Sequence, residues 1–66
     1  MRLTVNGEER RFAEVGHIAA LVAALGLDMR KVAVERNLEI VPRSAYAMTA
    51  LAEGDRIEIV AFIGGG

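Results

Sequence analysis

At 66 residues the chain has room for one domain, and a domain of that size buries only about 60% of the surface its unfolded chain exposes. With no Cys it has neither a disulfide nor a thiolate metal site, and the lone His17 cannot build a metal site by itself, so the core must be aliphatic. The net charge of −1, with Arg10, Arg11, Arg30, Lys31, Arg36 and Arg43 interleaved among acidic residues, lacks the basic stripe of a nucleic-acid binder, and no apolar run approaches the ~20 residues of a membrane span. The opening residues read as a strand and not as a secretion signal, so the expected setting is soluble and cytoplasmic.

Residues 1–5 alternate, with Met1, Leu3 and Val5 on one face and Arg2 and Thr4 on the other, the period of a half-buried strand. Asn6-Gly7 follows, a strong hairpin signal because a type I′ turn needs positive φ at both central residues. The returning strand is expected over 8–13, its charged side chains suiting a solvated sheet edge. Beyond Gly16, Ile18, Leu21, Val22 and Leu25 fall on one helical stripe. Alanines fill the positions between, and Gly26 stands where a left-handed residue ends a helix. His17 is a weaker N-terminal cap than Ser or Asp.

Residues 31–36 read as a third strand with Val32 and Val34 on one face, 37–38 as a turn, and 39–41 as a short fourth strand that Pro42 ends. A helical turn or 3₁₀ segment is expected over 44–51. Gly54-Asp55 punctuates, and 56–63 form the last strand. The order β-β-α-β-β-β gives an α+β fold of two layers, a mixed sheet of four to five strands packed on one main helix. With the last strand running centrally beside the first, this is the β-grasp arrangement of ubiquitin-like proteins. The domain spans 1–63, and 64–66 form a flexible glycine tail.

Catalytic equipment is sparse, and the expected role of His17 is structural or solvent-facing. Met29 and Met48 are expected to pack, and Tyr46 to anchor the segment after Pro42 with its hydroxyl on water or backbone. Two features resist a purely structural reading. Gly64, Gly65 and Gly66 follow an apolar strand with no polar linker. Extended at about 3.3 Å per residue, they reach up to ~10 Å, and without a Cβ they fit a narrow channel that would admit a terminal carboxylate. In the last strand Ile57, Ile59, Ala61 and Ile63 share one face. The other runs Arg56, Glu58, Val60, Phe62, from charged to apolar. If the first face is core, Val60 and Phe62, with Ile63 next to them, make a docking patch beside the tail.

The sequence resembles the ThiS family, the bacterial sulfur carriers of thiamine biosynthesis. The resemblance covers essentially the whole chain. It rests on Val5-Asn6-Gly7-Glu8, Val34-Glu35-Arg36-Asn37, Ile40-Val41-Pro42-Arg43-Ser44 with Tyr46, the run from Glu53 to Val60, and the glycine end. It implies that the chain is no enzyme and binds no cofactor, but is a protein cosubstrate. A ThiF-type adenylating enzyme uses ATP to adenylate the Gly66 carboxylate. A persulfide derived from a cysteine desulfurase then converts it to a thiocarboxylate, and thiazole synthase receives the sulfur. The carrier alone is expected to be a monomer, binding neither nucleic acid nor membrane. The alternatives are the small subunit of molybdopterin synthase or another ubiquitin-like sulfur carrier, and a non-reacting ubiquitin-like interaction module.

Overall fold

The computed structural model describes residues 1–62. Strands β1 (Arg2–Val5) and β2 (Glu8–Arg11) form a hairpin. The helix α1 (Ile18–Ala24) crosses back, then β3 (Val32–Arg36) and β4 (Glu39–Val41) form a second hairpin, and β5 (Arg56–Ala61) returns to the centre. The sheet order is β2-β1-β5-β3-β4. β1 and β5 are parallel, and the other neighbours are antiparallel. The central placement of the last strand beside the first follows the sequence expectation.

The helix covers one face of this sheet. Ile18, Leu21 and Val22 are buried against Leu3, Val34, Ile57 and Ile59. His17 caps α1 after all: its Nδ1 accepts the Ala20 N–H at 3.1 Å, using an orphan donor of the first turn. At the other end Gly26 takes φ 73, its N–H donates to Ala23 O at 3.0 Å, and that of Leu27 to Val22 O at 3.1 Å. These paired bonds are the Schellman arrangement, which needs a left-handed residue there. Tyr46 is buried and its hydroxyl donates to Val32 O at 3.1 Å, so it anchors its segment to backbone.

Several boundaries and placements differ from expectation. β2 stops at Arg11, although the Phe12 N–H still donates to Met1 O at 2.8 Å. A 3₁₀ turn, Met29–Lys31, precedes β3 and is capped by Asp28, and the expected turn after Pro42 is a 3₁₀ segment, Arg43–Ala45. Met29 and Met48 are exposed and do not pack in the core; in the segment of Met48, Tyr46 takes the interior position. Ala61, expected on the core face, is exposed. The seven-residue helix stops short of it, leaving it in an open groove with Leu25 and Leu27. Ile63 and the proposed boundary between 63 and 64 lie outside the described residues.

Candidate functional site

β5 leads to the candidate site, and the fold grips it from both sides. Against β3 it pairs over five residues, from Arg36↔Ile57 to Val32↔Ala61. Against β1 the pairing is short, Thr4↔Arg56 and Val5↔Ile57. Side chains extend it. Asn6, at φ 50 in the first hairpin turn, accepts the Ile59 N–H on Oδ1 at 2.8 Å and donates Nδ2 to Ile59 O at 3.1 Å. Asn37, at φ 51 in the second turn, accepts the Arg56 N–H on Oδ1 at 2.9 Å, while its own N–H donates to Arg56 O at 2.7 Å. Asn tolerates the left-handed region better than most residues. The same two asparagines therefore make the turns and clip the central strand.

The far end of β5 is braced through three successive carbonyls. Arg30 O accepts Arg43 Nη2 at 2.9 Å, Lys31 O accepts the Phe62 N–H at 2.7 Å, and Val32 O accepts the Tyr46 hydroxyl. The segment after Pro42 thus buttresses the place where the chain leaves the sheet. Asp28 holds the same corner. Its carboxylate accepts Arg30 Nε at 3.1 Å and the Arg30 N–H at 2.9 Å. These bonds, the side-chain one first, bring its pKa down to about 2.

At this end Ile57 and Ile59 face the core, while Val60 and Phe62 are 63% and 53% exposed. The charged-to-apolar face of β5 is therefore the one turned away from the helix. Gly64, Gly65 and Gly66, the expected sulfur-carrying tail, lie outside the described residues, as does Ile63. Among the described residues no cluster of His, Asp and Glu could hold a metal ion, and no helix is long and apolar enough to cross a membrane.

A second polar centre supports the strand from below. Asp55 is buried and accepts Arg36 Nε at 2.8 Å, Asn37 Nδ2 at 3.0 Å and the Ala52 N–H at 2.8 Å. Burial pushes its pKa up, but the three hydrogen bonds and the Arg36 charge outweigh burial and hold it below the ordinary carboxylate range. Sequence reading took Gly54-Asp55 as turn punctuation and missed this role, since the partners lie 18 and 19 residues away. It likewise missed Arg43 and the second task of Asn6. A weak signal was present in each case: an Asp, Asn or Arg at a turn has spare hydrogen-bonding capacity.

A helix packed on a five-stranded mixed sheet, with the last strand central and its end presented on the open side, defines a ubiquitin-like β-grasp protein. The crystal structure of the thiamine biosynthesis protein (ThiS) from Geobacter metallireducens superposes with a TM-score of 0.83 at 35% identity, covering 100% of both chains. A model of the ThiS family matches residues 3–66. The chain belongs to the ThiS family. It is 40% identical over 65 residues to the sulfur carrier protein ThiS of Bacillus subtilis, covering 97% of this chain and 98% of that protein. It is 62% identical over 66 residues to a thiazole synthase of Paramagnetospirillum magneticum and 46% identical over 67 residues to one of Magnetococcus marinus. It spans 20% of the length of each of these two proteins.

Proposed function

We propose that the chain is the sulfur carrier of thiazole formation in thiamine biosynthesis, with Gly66 as the residue that carries the sulfur. The observation that carries this reading is the end-to-end match to the ThiS family, which runs through to Gly66. A carboxylate is a poor electrophile. Attack of the Gly66 carboxylate on the α-phosphorus of ATP releases pyrophosphate and gives an acyl-adenylate with a good leaving group. A persulfide sulfur then displaces AMP, and a further thiol of the donor opens the resulting acyl disulfide. The thiocarboxylate left on Gly66 is a soft nucleophile that delivers sulfur without free sulfide. The chain is a cosubstrate in this scheme. ATP and the persulfide belong to a ThiF-type adenylating enzyme and a donor charged by a cysteine desulfurase.

Two relatives contain a segment like this chain within a longer thiazole synthase. That association supports thiazole synthase as the acceptor's enzyme, over molybdopterin synthase. The setting is the cytoplasm, where the carrier is a monomer between encounters. Val60 and Phe62, with Ile63, dock the body of the carrier on the adenylating enzyme while residues 64–66 enter its active site. Gly64 and Gly65 serve as spacers that a tight channel can close around.

The test is intact-mass analysis of the chain ending at Gly66 after incubation with the adenylating enzyme, ATP, cysteine desulfurase and cysteine. The expected gain is the exchange of one oxygen for one sulfur, with the change mapped to Gly66. No gain, with desulfurase and adenylating enzyme shown active on another carrier, overturns the reading. So does normal ATP–pyrophosphate exchange by a variant extended beyond Gly66 and left unprocessed.

A further inference from the structure

The turn Asn6-Gly7 is also a reactive dipeptide. The side-chain carbonyl carbon of an Asn is open to attack by the backbone nitrogen of the next residue. Glycine in that next position lets the attack proceed fastest, because it has no Cβ to crowd the nitrogen. The chain holds two asparagines, and the other, Asn37, is followed by the branched Leu38. Asn6 is exposed, and a Cβ placed on Gly7 would meet nothing within 4 Å, so water and base reach the pair.

The fold opposes the reaction at one point. Attack requires Asn6 Cγ to swing onto the Gly7 nitrogen, and both polar atoms on that carbon are engaged with β5. Oδ1 accepts the Ile59 N–H at 2.8 Å, and Nδ2, the atom that would leave, donates to Ile59 O at 3.1 Å. The side chain cannot make the swing without releasing both. The seam that keeps Asn6 in place is short. β1 pairs with β5 through Thr4↔Arg56 and Val5↔Ile57, and the Asn6 N–H closes the row on Ile57 O at 2.9 Å. Partial opening of such a seam frees the amide before the whole chain unfolds.

We propose that Asn6-Gly7 is a deamidation site guarded by the Asn6–Ile59 clip, protected while β1 holds β5 and converted to aspartate or isoaspartate once the seam parts. In that step the Gly7 nitrogen gives up its proton and bonds to Asn6 Cγ. The Cγ–Nδ2 bond breaks, and the nitrogen takes a proton and leaves as ammonia. Water then opens the resulting five-membered succinimide, at Cγ to give aspartate or at the backbone carbonyl to give isoaspartate. Overall one water enters and one ammonia leaves, with no oxidant or reductant. Neither product can donate to Ile59 O, and a carboxylate oxygen is left facing that carbonyl, an unpaired contact that costs stability. Isoaspartate also adds a backbone carbon to the turn that sets the register Val5↔Glu8. A chain that has opened is thereby marked, and it closes less well on the strand that leads to Phe62.

Peptide mapping by mass tests this on the wild-type chain, incubated at mildly alkaline pH in buffer and in guanidinium chloride above the unfolding midpoint. The readout is replacement of the side-chain NH2 by OH at Asn6 and at Asn37. In the unfolded chain Asn6 should convert at least tenfold faster than Asn37. In the folded chain it should convert at least tenfold more slowly than in the unfolded one. Below the midpoint, denaturant should raise its rate in step with hydrogen exchange of the Ile59 amide, the proton that Asn6 Oδ1 accepts. N6D reproduces the aspartate product, and it should melt at a lower temperature than the wild type and exchange the Ile59 amide faster. Equal rates at Asn6 in the folded and unfolded chains overturn the guard, and equal rates at Asn6 and Asn37 in the unfolded chain overturn the site. An N6D chain as stable as the wild type, with Ile59 exchange unchanged, overturns the loss of closure. All of these outcomes are read on the chain alone and leave the carrier reading untouched.

Discussion

The side-chain amide of Asn6 holds both backbone groups of Ile59, accepting at 2.8 Å and donating at 3.1 Å. It does the work of one more residue of β1 at the point where the chain turns away. Asn6→Gly keeps the positive φ of the turn and removes both bonds. It should cost about 1–2 kcal/mol, the loss of paired hydrogen bonds to partly buried groups. Urea unfolding reads the change; a variant as stable as the wild type would show that turn geometry alone matters at this position.

Asp55 should govern part of the acid sensitivity. Its pKa is held below the ordinary carboxylate value of about 3.9. The stabilisation it supplies is therefore complete above that value and is lost as pH falls through the lower, folded-state one. Asp55→Asn should cost roughly 1–3 kcal/mol near neutrality, by leaving Arg36 unpaired. It should also flatten the decline in urea midpoint on acidification, with a residue of pH dependence from Asp28, whose value is about 2. An unchanged acid limb would assign the sensitivity to other carboxylates.

Leu38 adopts φ 71 and is 72% exposed. A branched side chain in the left-handed region costs roughly 1–2 kcal/mol, and little burial compensates it here. Leu38→Gly should stabilise the domain by about 0.5–1 kcal/mol once the freer unfolded chain is counted. Thermal unfolding checks the sign, and a loss of stability would mean that Leu38 packs on its neighbours.

Leu21 and Phe62 should separate core from docking surface. Leu21 is fully buried, and Leu21→Ala should cost about 2–5 kcal/mol. Phe62→Ala should change Tm little and weaken binding to the adenylating enzyme by ~2 kcal/mol, the scale of an aromatic hot spot. Calorimetry on the folded variant, beside its melting curve, distinguishes the two. If Phe62→Ala unfolds the domain and leaves affinity untouched, Phe62 belongs to the core.

Much of this architecture is written in local pattern. The stripe of Ile18, Leu21, Val22 and Leu25, the Asn6-Gly7 turn and the alternation around Ile57 and Ile59 each follow a period that one element dictates. Ala61 was misplaced because alternation says which face a residue occupies, not how far the helix reaches over that face, and Met48 because its short segment has no period to show that Tyr46 takes the interior place. The turn at Met29–Lys31 is too short to show any period, and Asp28 was its only marker. Asp55 and Arg43 act through partners distant in sequence, and no local rule reveals those. The alternation of 56–62 is legible, and the structure bears out the exposure of Val60 and Phe62, whereas residues 63–66 lie outside the described residues.

The central position of β5 has a mechanical consequence. A partner that draws the chain beyond Phe62 into a channel pulls along the axis of β5. The load falls in shear on the five residue pairs with β3 and on the amide of Asn6, all at once. An edge strand under the same pull would share the load with one neighbour instead of two. Tension on the tail is thus borne by the whole sheet, and the carrier can be held taut without fraying.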